Sequence, residues 1–455
     1  MVRKRIHDEP EKKKKNDNDS DNPLIKKKPS PKGTVSREWT FITHSNVLLV
    51  IISAIIVRFI LYKSCGGWLI SRPELSTPLV SIDRLKEGIL LIKDLNDPYA
   101  GDRVHVTPIM MSLFPTTDDR VISLVWIVVD ILSGMALSMG SIAYSSARGD
   151  SIEQTITIAT NVLKWYLLNP ISIATCASLS LSVILIFLLS LFTTAFLYQK
   201  WFVASFVLSI STQFSLYPIV LLAPLINRME GRRSLIHQLF LFNSIFLSVI
   251  TVIVFLLSLS ALTFINFMLG GISWKFVEHT YLFNVSVEDL TPNVGIFWYF
   301  FTEIFNHFYD FFLILFQLNI FVYVVPLALT LRNASFLNLL VSFALIAVFV
   351  PYPSLSDATV FFALLPLIDE KYWKGMRHLL VESCTILACI ILMPIMWHLW
   401  IVSGSGNANF YFGVTLFYNV ALIRMAIDLV YSYVKTDLAE KCPDDIEEKS
   451  LIYFD

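Results

Sequence analysis

DLTPNVGIFWYFFTEIFNHFYDFFLILFQLNIFVYVVPLALTLR, residues Asp289 to Arg332, is the stretch from which the fold is read. It opens as a turn, because Pro292 and Asn293 sit where a chain changes direction. It then becomes apolar enough to enter a bilayer. Yet Glu303, Asn306, His307, Asp310, Gln317 and Asn319 lie among its aromatics. Polar groups at membrane depth are costly and persist where they face protein, water or a ligand. A functional surface is therefore expected here, with Asn293 at its head and Trp298 on its first apolar turn.

The rest of the chain agrees with a membrane reading. Of 455 residues, 55% are hydrophobic and only 16% charged. Several runs reach the roughly 18–20 residues that a helix needs to cross hydrocarbon. The expected class is an all-α polytopic membrane protein, and a soluble domain of this size is excluded. The net charge of −1 hides an asymmetry: residues 1–37 hold 12 Lys/Arg, whereas Asp437 to Asp455 is acidic. Residues 1–45 are expected to be a disordered, basic, cytosolic extension. Residues 46–435 are expected to be the multi-span domain, and 436–455 an acidic cytosolic tail. The Lys runs at 12–15 and 26–28 precede many spans, so no nucleic-acid partner is expected. The first apolar stretch lies too far from the start, without a small-residue cleavage site, to be a removed signal peptide. Five cysteines, an odd number without metal-ligand spacing, predict no disulfide framework. Cys176, Cys384 and Cys389 lie in apolar runs and read as packing residues.

Positive charge marks the cytosolic side of a span. The spans then fall near 46–63, 121–144, 155–168 and 172–198, with a lumenal loop at 64–120. Asn169-Pro170 reads as a helix stop. Residues 201–227 read as two short helices turning at Leu216-Tyr217-Pro218, which returns Arg228, Arg232 and Arg233 to the cytosol. Further spans fall at 236–262, 308–329, 333–351, 356–369, 376–401 and 407–434. The count is about 12, with both termini cytosolic.

Candidate chemistry is sparse. The loop from Asp97 to Pro108 holds Asp97 and His105, which could serve sugar transfer as acid or base, or could bond the backbone of a structural loop. Glu303 and His307, four apart, are expected on one helical face, and Asp310 follows. Two ligands on a helix are too few for a metal. A polar seam toward a lipid headgroup or a partner subunit is the stronger reading, beside a satisfied structural pair. Trp397-His398-Leu399-Trp400 reads as an interfacial belt. Asn407 and Asn409 follow a Gly/Ser turn; either could cap a helix, or both could meet sugar hydroxyls or phosphate. The Arg228, Arg232, Arg233 group would attract anionic headgroups at roughly 1 kcal/mol each. Asn284 and Asn333 match glycosylation sequons, and only Asn284 falls on the lumenal side. No catalytic constellation and no cofactor motif is visible.

The Asp289–Arg332 block closely resembles the U subunit of glycosylphosphatidylinositol (GPI) transamidase, the PIG-U family, in DLTPN, IFWYFF, EIF–HF and FQLN. Islands elsewhere agree: Pro98-Tyr99, His105 with Thr107-Pro108, Tyr166 to Pro170, Ser215 to Pro218, Trp397 to Trp400, and Asn407 with Asn409. The resemblance covers about residues 46–435. It implies a noncatalytic subunit in an endoplasmic-reticulum complex that attaches GPI to precursor C-termini. The cysteine-protease chemistry would belong to PIG-K, with PIG-T, PIG-S and a GPAA-type subunit as further partners. It also implies a membrane architecture similar to the GT-C glycosyltransferases. Asn407 and Asn409 match positions expected near the GPI headgroup, with His307 as a further contact. The segment Trp298 to Asn319, including Asp310 and Gln317, matches a lipid-recognition region. Acyl chains are expected against the Phe-rich faces near Phe297 to Phe316, within surrounding phospholipid. The rival reading is a mannosyltransferase using dolichol-phosphate-mannose. Those enzymes carry an acidic pair after the first span, whereas Ser71 to Pro78 offers Glu74 alone.

Overall fold

The structure is a computed structural model that describes residues 31–95, 97–114, 117–230 and 239–441. A backbone in hydrocarbon has no water to bond, so it must close its hydrogen bonds within helices. The described residues accordingly contain helices and no strand.

The chain opens on α1 (Pro31–Ile42), a helix inside the stretch expected to be unstructured. Its order has a packing cause: Phe41 is fully buried, and Arg37 Nη1 donates to Ser146 Oγ at 2.9 Å. Residues 1–30 and 442–455 lie outside the described residues. Helix α2 (Ser45–Ile70) runs seven residues beyond the end expected for the first span. The following loop carries α3 (Ile82–Leu95) and α4 (Pro108–Leu113). Helix α5 (Asp119–Arg148) starts at Asp118, whose side chain accepts from Arg120 N, and stops at Gly149 with φ +93°.

Helix α6 (Ile152–Leu167) begins with a reciprocal Ser151/Gln154 capping box. The Asn169-Pro170 stop expected between two spans is instead a joint between two helices that both reach α5. Asn169 caps α7 (Pro170–Ala177), with Pro170 at its first position. Tyr166 on α6 and Ser172 on α7 both reach Asp130, so the two helices run on together. The reversal comes later, at Ser178–Leu181. There Leu179 adopts φ +53° and Leu181 N bonds Val80 O at 2.9 Å before α8 (Ser182–Leu197).

Helices α9 (Trp201–Phe214) and α10 (Leu222–Glu230) flank a 3-10 turn at Tyr217–Leu221, matching the two short helices expected. Next come α11 (Leu239–Leu269), α12 (Phe283–Ser286), α13 (Phe297–Glu303) and α14 (Tyr309–Thr330). Then follow α15 (Ser335–Phe349), α16 (Thr359–Leu364), α17 (Glu370–Gly375), α18 (Leu379–Trp397) and α19 (Ala408–Lys441). Every residue of α15 is buried, as expected of a helix apolar on all sides at the centre of a bundle.

Among the described residues, 6 helical segments are long and apolar enough to cross a membrane. They are Ser45–Ile70, Asp119–Arg148, Phe246–Leu269, Asn306–Thr330, Leu379–Val402 and Ala408–Lys441. Five shorter apolar helices accompany them: Ser182–Leu197, Trp201–Phe214, Tyr217–Met229, Ser335–Phe349 and Leu355–Leu367.

The bundle has two chemically different ends. One, the loop end, gathers residues 71–95 and 97–114 with residues 274–304, 350–357 and 397–411. Arg84 pairs with Asp289 at 2.9 Å, Leu355 N bonds Glu74 O at 2.9 Å, and Tyr352 OH accepts from Asp289 N at 3.1 Å. The opposite end holds Arg148, which pairs with Asp150 at 2.6 Å and with Asp369. Arg228 also lies there, its guanidinium over the rings of Tyr144 and Phe196 at 5.6 and 5.5 Å.

Of the cysteines expected to be packing residues, Cys176 and Cys389 are buried but Cys384 is exposed on α18. Asn284, the sequon asparagine expected on the lumenal side, is buried at 4% exposure. Its backbone carbonyl accepts from Gln317 Nε2 at 3.2 Å, and the burial of its side chain leaves no room for a glycan in the folded chain.

Candidate functional site

The Asp289 turn forms as its residue types require. Asp289 Oδ1 accepts from Thr291 N at 2.9 Å and Asn293 Oδ1 from Gly295 N at 2.7 Å. Burial alone would raise the Asp289 carboxyl, but hydrogen bonds from Thr291 and Arg84 hold it below the ordinary range. Asn293 is buried at 1% exposure, so it builds this turn rather than meeting a ligand. Gly295 is required by crowding: a Cβ there would lie 2.6 Å from Pro353 Cδ.

Glu303 and His307 do not share a helical face. Helix α13 ends at Glu303, Ile304 is extended at φ −77°, ψ 148°, and a separate 3-10 turn spans Asn306–Phe308. The i, i+4 spacing assumed a continuous helix, which two breaks in five residues prevent. His307 is exposed and its ring lies against Phe305 and Phe308. Asp310 is exposed, and neither it nor Asn319 makes a hydrogen bond among the described residues. Gln317 is structural: Tyr217 OH donates to its Oε1, while its Nε2 donates to Val285 O at 2.8 Å. The Phe-rich faces are also mostly spent on packing. Phe297 and Phe301 are buried, and Phe300 stacks on Phe316 at 4.6 Å.

Asn407 and Asn409 do come together with the aromatic block. Asn407 is the cap of α19: its Oδ1 accepts from Asn409 N at 3.1 Å and Phe410 N at 3.4 Å. Asn409 Oδ1 accepts from Tyr299 OH on α13. Both asparagines are exposed, and among the described residues both keep their Nδ2 amides without a protein partner. Tyr299 stacks on Phe412 at 4.3 Å. Behind them, Trp298 lies 6.3 Å from Trp400 and 6.2 Å from Tyr411, and Trp397 lies 5.3 Å from Tyr411. The Trp298 Nε1 donor is buried without an acceptor. Two exposed amides beside stacked aromatic rings can hydrogen-bond hydroxyls and cover the apolar face of a sugar.

Charged groups that could do acid–base work are committed elsewhere. Glu74 accepts two hydrogen bonds from Arg72, at 3.0 and 2.8 Å, and is buried at 3% exposure. His105 Nδ1 donates to His279 O at 2.8 Å while its ring stacks on Phe283. Burial pushes its pKa down to about 4. Asp97 is held low, first by its hydrogen bond from Lys275. These contacts favour the structural reading of the 97–108 loop. Among the described residues, no group of three or more His, Cys, Asp or Glu is placed to hold a metal. Of the arginine group, Arg228 is half-buried against Tyr144 and Phe196, and Arg232 and Arg233 lie outside the described residues.

A buried network escaped the sequence reading. Arg58 on α2 and Asp130 on α5, both inside apolar spans, pair at 2.5 Å at 0% and 1% side-chain exposure. Arg58 also donates to Leu167 O at 2.8 Å and Ser172 Oγ at 2.9 Å, and Tyr166 OH donates to Asp130 at 2.5 Å. The signal was present as single charges within two apolar runs, which such runs keep only for a partner.

Comparison with known proteins bears on the whole chain. Residues 52–418 match the family described as GPI transamidase subunit PIG-U. A human relative, "GPI-anchor transamidase component PIGU", is 32% identical over 412 residues, covering 86% of this chain and 94% of its own. "GPI transamidase component GAB1" of Saccharomyces cerevisiae is 32% identical over 416 residues, covering 88% and 98%. A Schizosaccharomyces pombe homolog of GAB1 is 27% identical over 379 residues. With its helices, its aromatic block and its matched length all in agreement, this chain belongs to the PIG-U family of GPI transamidase subunits.

Proposed function

We propose that this chain is a noncatalytic subunit that recognises the GPI glycolipid at the loop end and presents it to a catalytic cysteine-protease subunit. The observation that carries this reading is the pair of exposed Asn407 and Asn409 amides set against Tyr299, Phe412 and the Trp298–Trp400 stack. The commitment of Glu74 to Arg72 speaks against a dolichol-phosphate-mannose transferase, because such an enzyme needs a free acid near that position.

The loop end is lumenal and both termini are cytosolic in this reading. Arg148, Arg228, Arg332, Lys371, Lys374 and Arg377 follow or precede spans on the opposite end, as cytosolic charges do. Counting the five shorter apolar helices and the α6–α7 pair as crossings covered by protein, beside the six long segments, gives about 12 spans, a GT-C-like membrane architecture. The setting is the endoplasmic-reticulum membrane, with PIG-K, PIG-T, PIG-S and a GPAA-type subunit as partners. The test is cellular. Asn407→Ala with Asn409→Ala, at equal subunit expression, is expected to lower surface GPI-anchored protein. Normal levels would remove the proposed headgroup contact.

A further inference from the structure

A trough runs down the outside of the bundle from the loop end. Its upper chamber, about 190 Å³, lies between α2, α7 and α18, and Arg72, Glu74 and Trp68 form its mouth. Its lower chamber, about 530 Å³, continues between α6, α7 and α18 past Leu387 and Trp373. Pro170, Ile171 and Ile390 line both, so the chambers adjoin. The walls are mostly apolar; apart from the mouth, Lys164, Asn169 and Ser383 are the polar residues that line them. The methylenes of Lys164 can extend the wall while its ammonium reaches toward water.

The mouth is chemically specific. The Arg72 guanidinium is buried at 5% exposure, lies over Trp68 at 5.1 Å and Trp397 at 5.6 Å, and gives Nε and Nη2 to Glu74. Its Nη1 has no protein acceptor among the described residues. A guanidinium with a spare N–H edge suits a phosphodiester, and Glu74 holds its orientation. Trp397 is also the link to the asparagine site. It packs on Tyr411, Tyr411 on Trp298, and Trp298 adjoins Tyr299, which donates to Asn409. Carbohydrate-binding amides and rings, then a phosphate-binding cation, then a long apolar trough repeat the order of parts in one glycolipid.

We propose that this trough holds the acyl chains of the GPI glycolipid, with its phosphodiester at Arg72 and its glycan toward Asn407 and Asn409. This rests on the reading of the asparagine site given above and moves the chains away from the Phe297–Phe316 faces. The occupant is the glycolipid rather than bulk phospholipid, because Trp397, which faces the Arg72 guanidinium at the mouth, packs through Tyr411 and Trp298 against the asparagine site.

The test uses the complete complex. A benzophenone amino acid is placed at Leu387 in the trough and, as a control, at Phe417, exposed on α19. After irradiation, GPI adducts are expected at 387 at least about tenfold above those at 417. Equal yields, or bulk phospholipid alone at 387, would overturn the trough assignment. Filling the trough with Leu387→Trp and Ile390→Trp is expected to lower retained GPI at least about fivefold at unchanged subunit stoichiometry. Undiminished GPI in that variant would also overturn it. Loss of GPI from the Asn407→Ala, Asn409→Ala variant, together with no GPI adduct at 387 in the complex that keeps both asparagines, would refute the trough and leave the headgroup reading standing.

Discussion

Asp130→Asn isolates what the buried network is worth. The change keeps the volume of the side chain and removes its charge. Arg58 is left at 0% exposure with neutral partners only: Leu167 O at 2.8 Å, Ser172 Oγ at 2.9 Å and Ala54 O at 3.3 Å. An unpaired buried charge costs about 3–5 kcal/mol. That is a large share of a typical stability of about 5–15 kcal/mol. Arg58→Met should cost less, because Asp130 keeps the hydrogen bonds from Tyr166 and Ser172. Replacing both, as Arg58→Met with Asp130→Leu, should recover most of the loss, because neither charge then needs solvating. The assay is SDS-induced unfolding of the purified complex, arranged as a double-mutant cycle. A coupling energy above about 2 kcal/mol is expected. Additive losses, or a cost below about 1 kcal/mol for Asp130→Asn, would refute the claim that the pair is a mutually dependent buried ion pair.

Four further outcomes follow from local geometry. Gly295→Ala must push Pro353 aside and should cost about 1–3 kcal/mol, whereas Gly413→Ala, with open space around its Cβ, should be neutral in the same melt. Asn284→Gln should leave the gel mobility of the folded subunit unchanged, since Asn284 is buried and carries no glycan; a shift would contradict its placement. Arg84→Ala removes a partly exposed pair with Asp289 and should cost about 1 kcal/mol, read as earlier proteolysis of the 97–118 loop. Acid should loosen the same loop. His105 titrates near 4 when folded and near its ordinary 6.5 when released, so the released state binds the extra proton and stability falls as pH drops from 6.5 to 4. Asp289, held low when folded, adds a loss at the acid end of that window. Hydrogen exchange of residues 97–107 should rise over this range, and His105→Phe should flatten the upper part.

Much of the helical layout was legible because hydrocarbon allows few alternatives. Apolar runs between basic clusters gave α5, α14 and α15 to within a few residues, and Leu216-Tyr217-Pro218 marked the turn between α9 and α10. The cap of α19 was readable as one of two asparagines after a Gly/Ser turn. What failed was local punctuation. Proline starts a helix as readily as it stops one, and Asn169-Pro170 was read only as a stop. The true reversal at Leu179 has no glycine or proline to mark it, since tertiary contact with Val80 holds it there. Glu303 and His307 were joined by spacing across a break that no residue type announces. Arg58 and Asp130 are 72 positions apart, and a single sequence carries no signal that pairs them. Arg72 was passed over for Glu74, its neighbour, although the arginine is what faces the trough.

The central claim is that the asparagine–aromatic site holds the glycolipid. The direct measurement is quantitative mass spectrometry of GPI retained per purified complex, comparing the native chain with the Asn407→Ala, Asn409→Ala variant at equal subunit stoichiometry. The account predicts GPI in the native complex and a loss of about tenfold or more in the variant, roughly 1.4 kcal/mol of binding. Equal GPI in both complexes would contradict it.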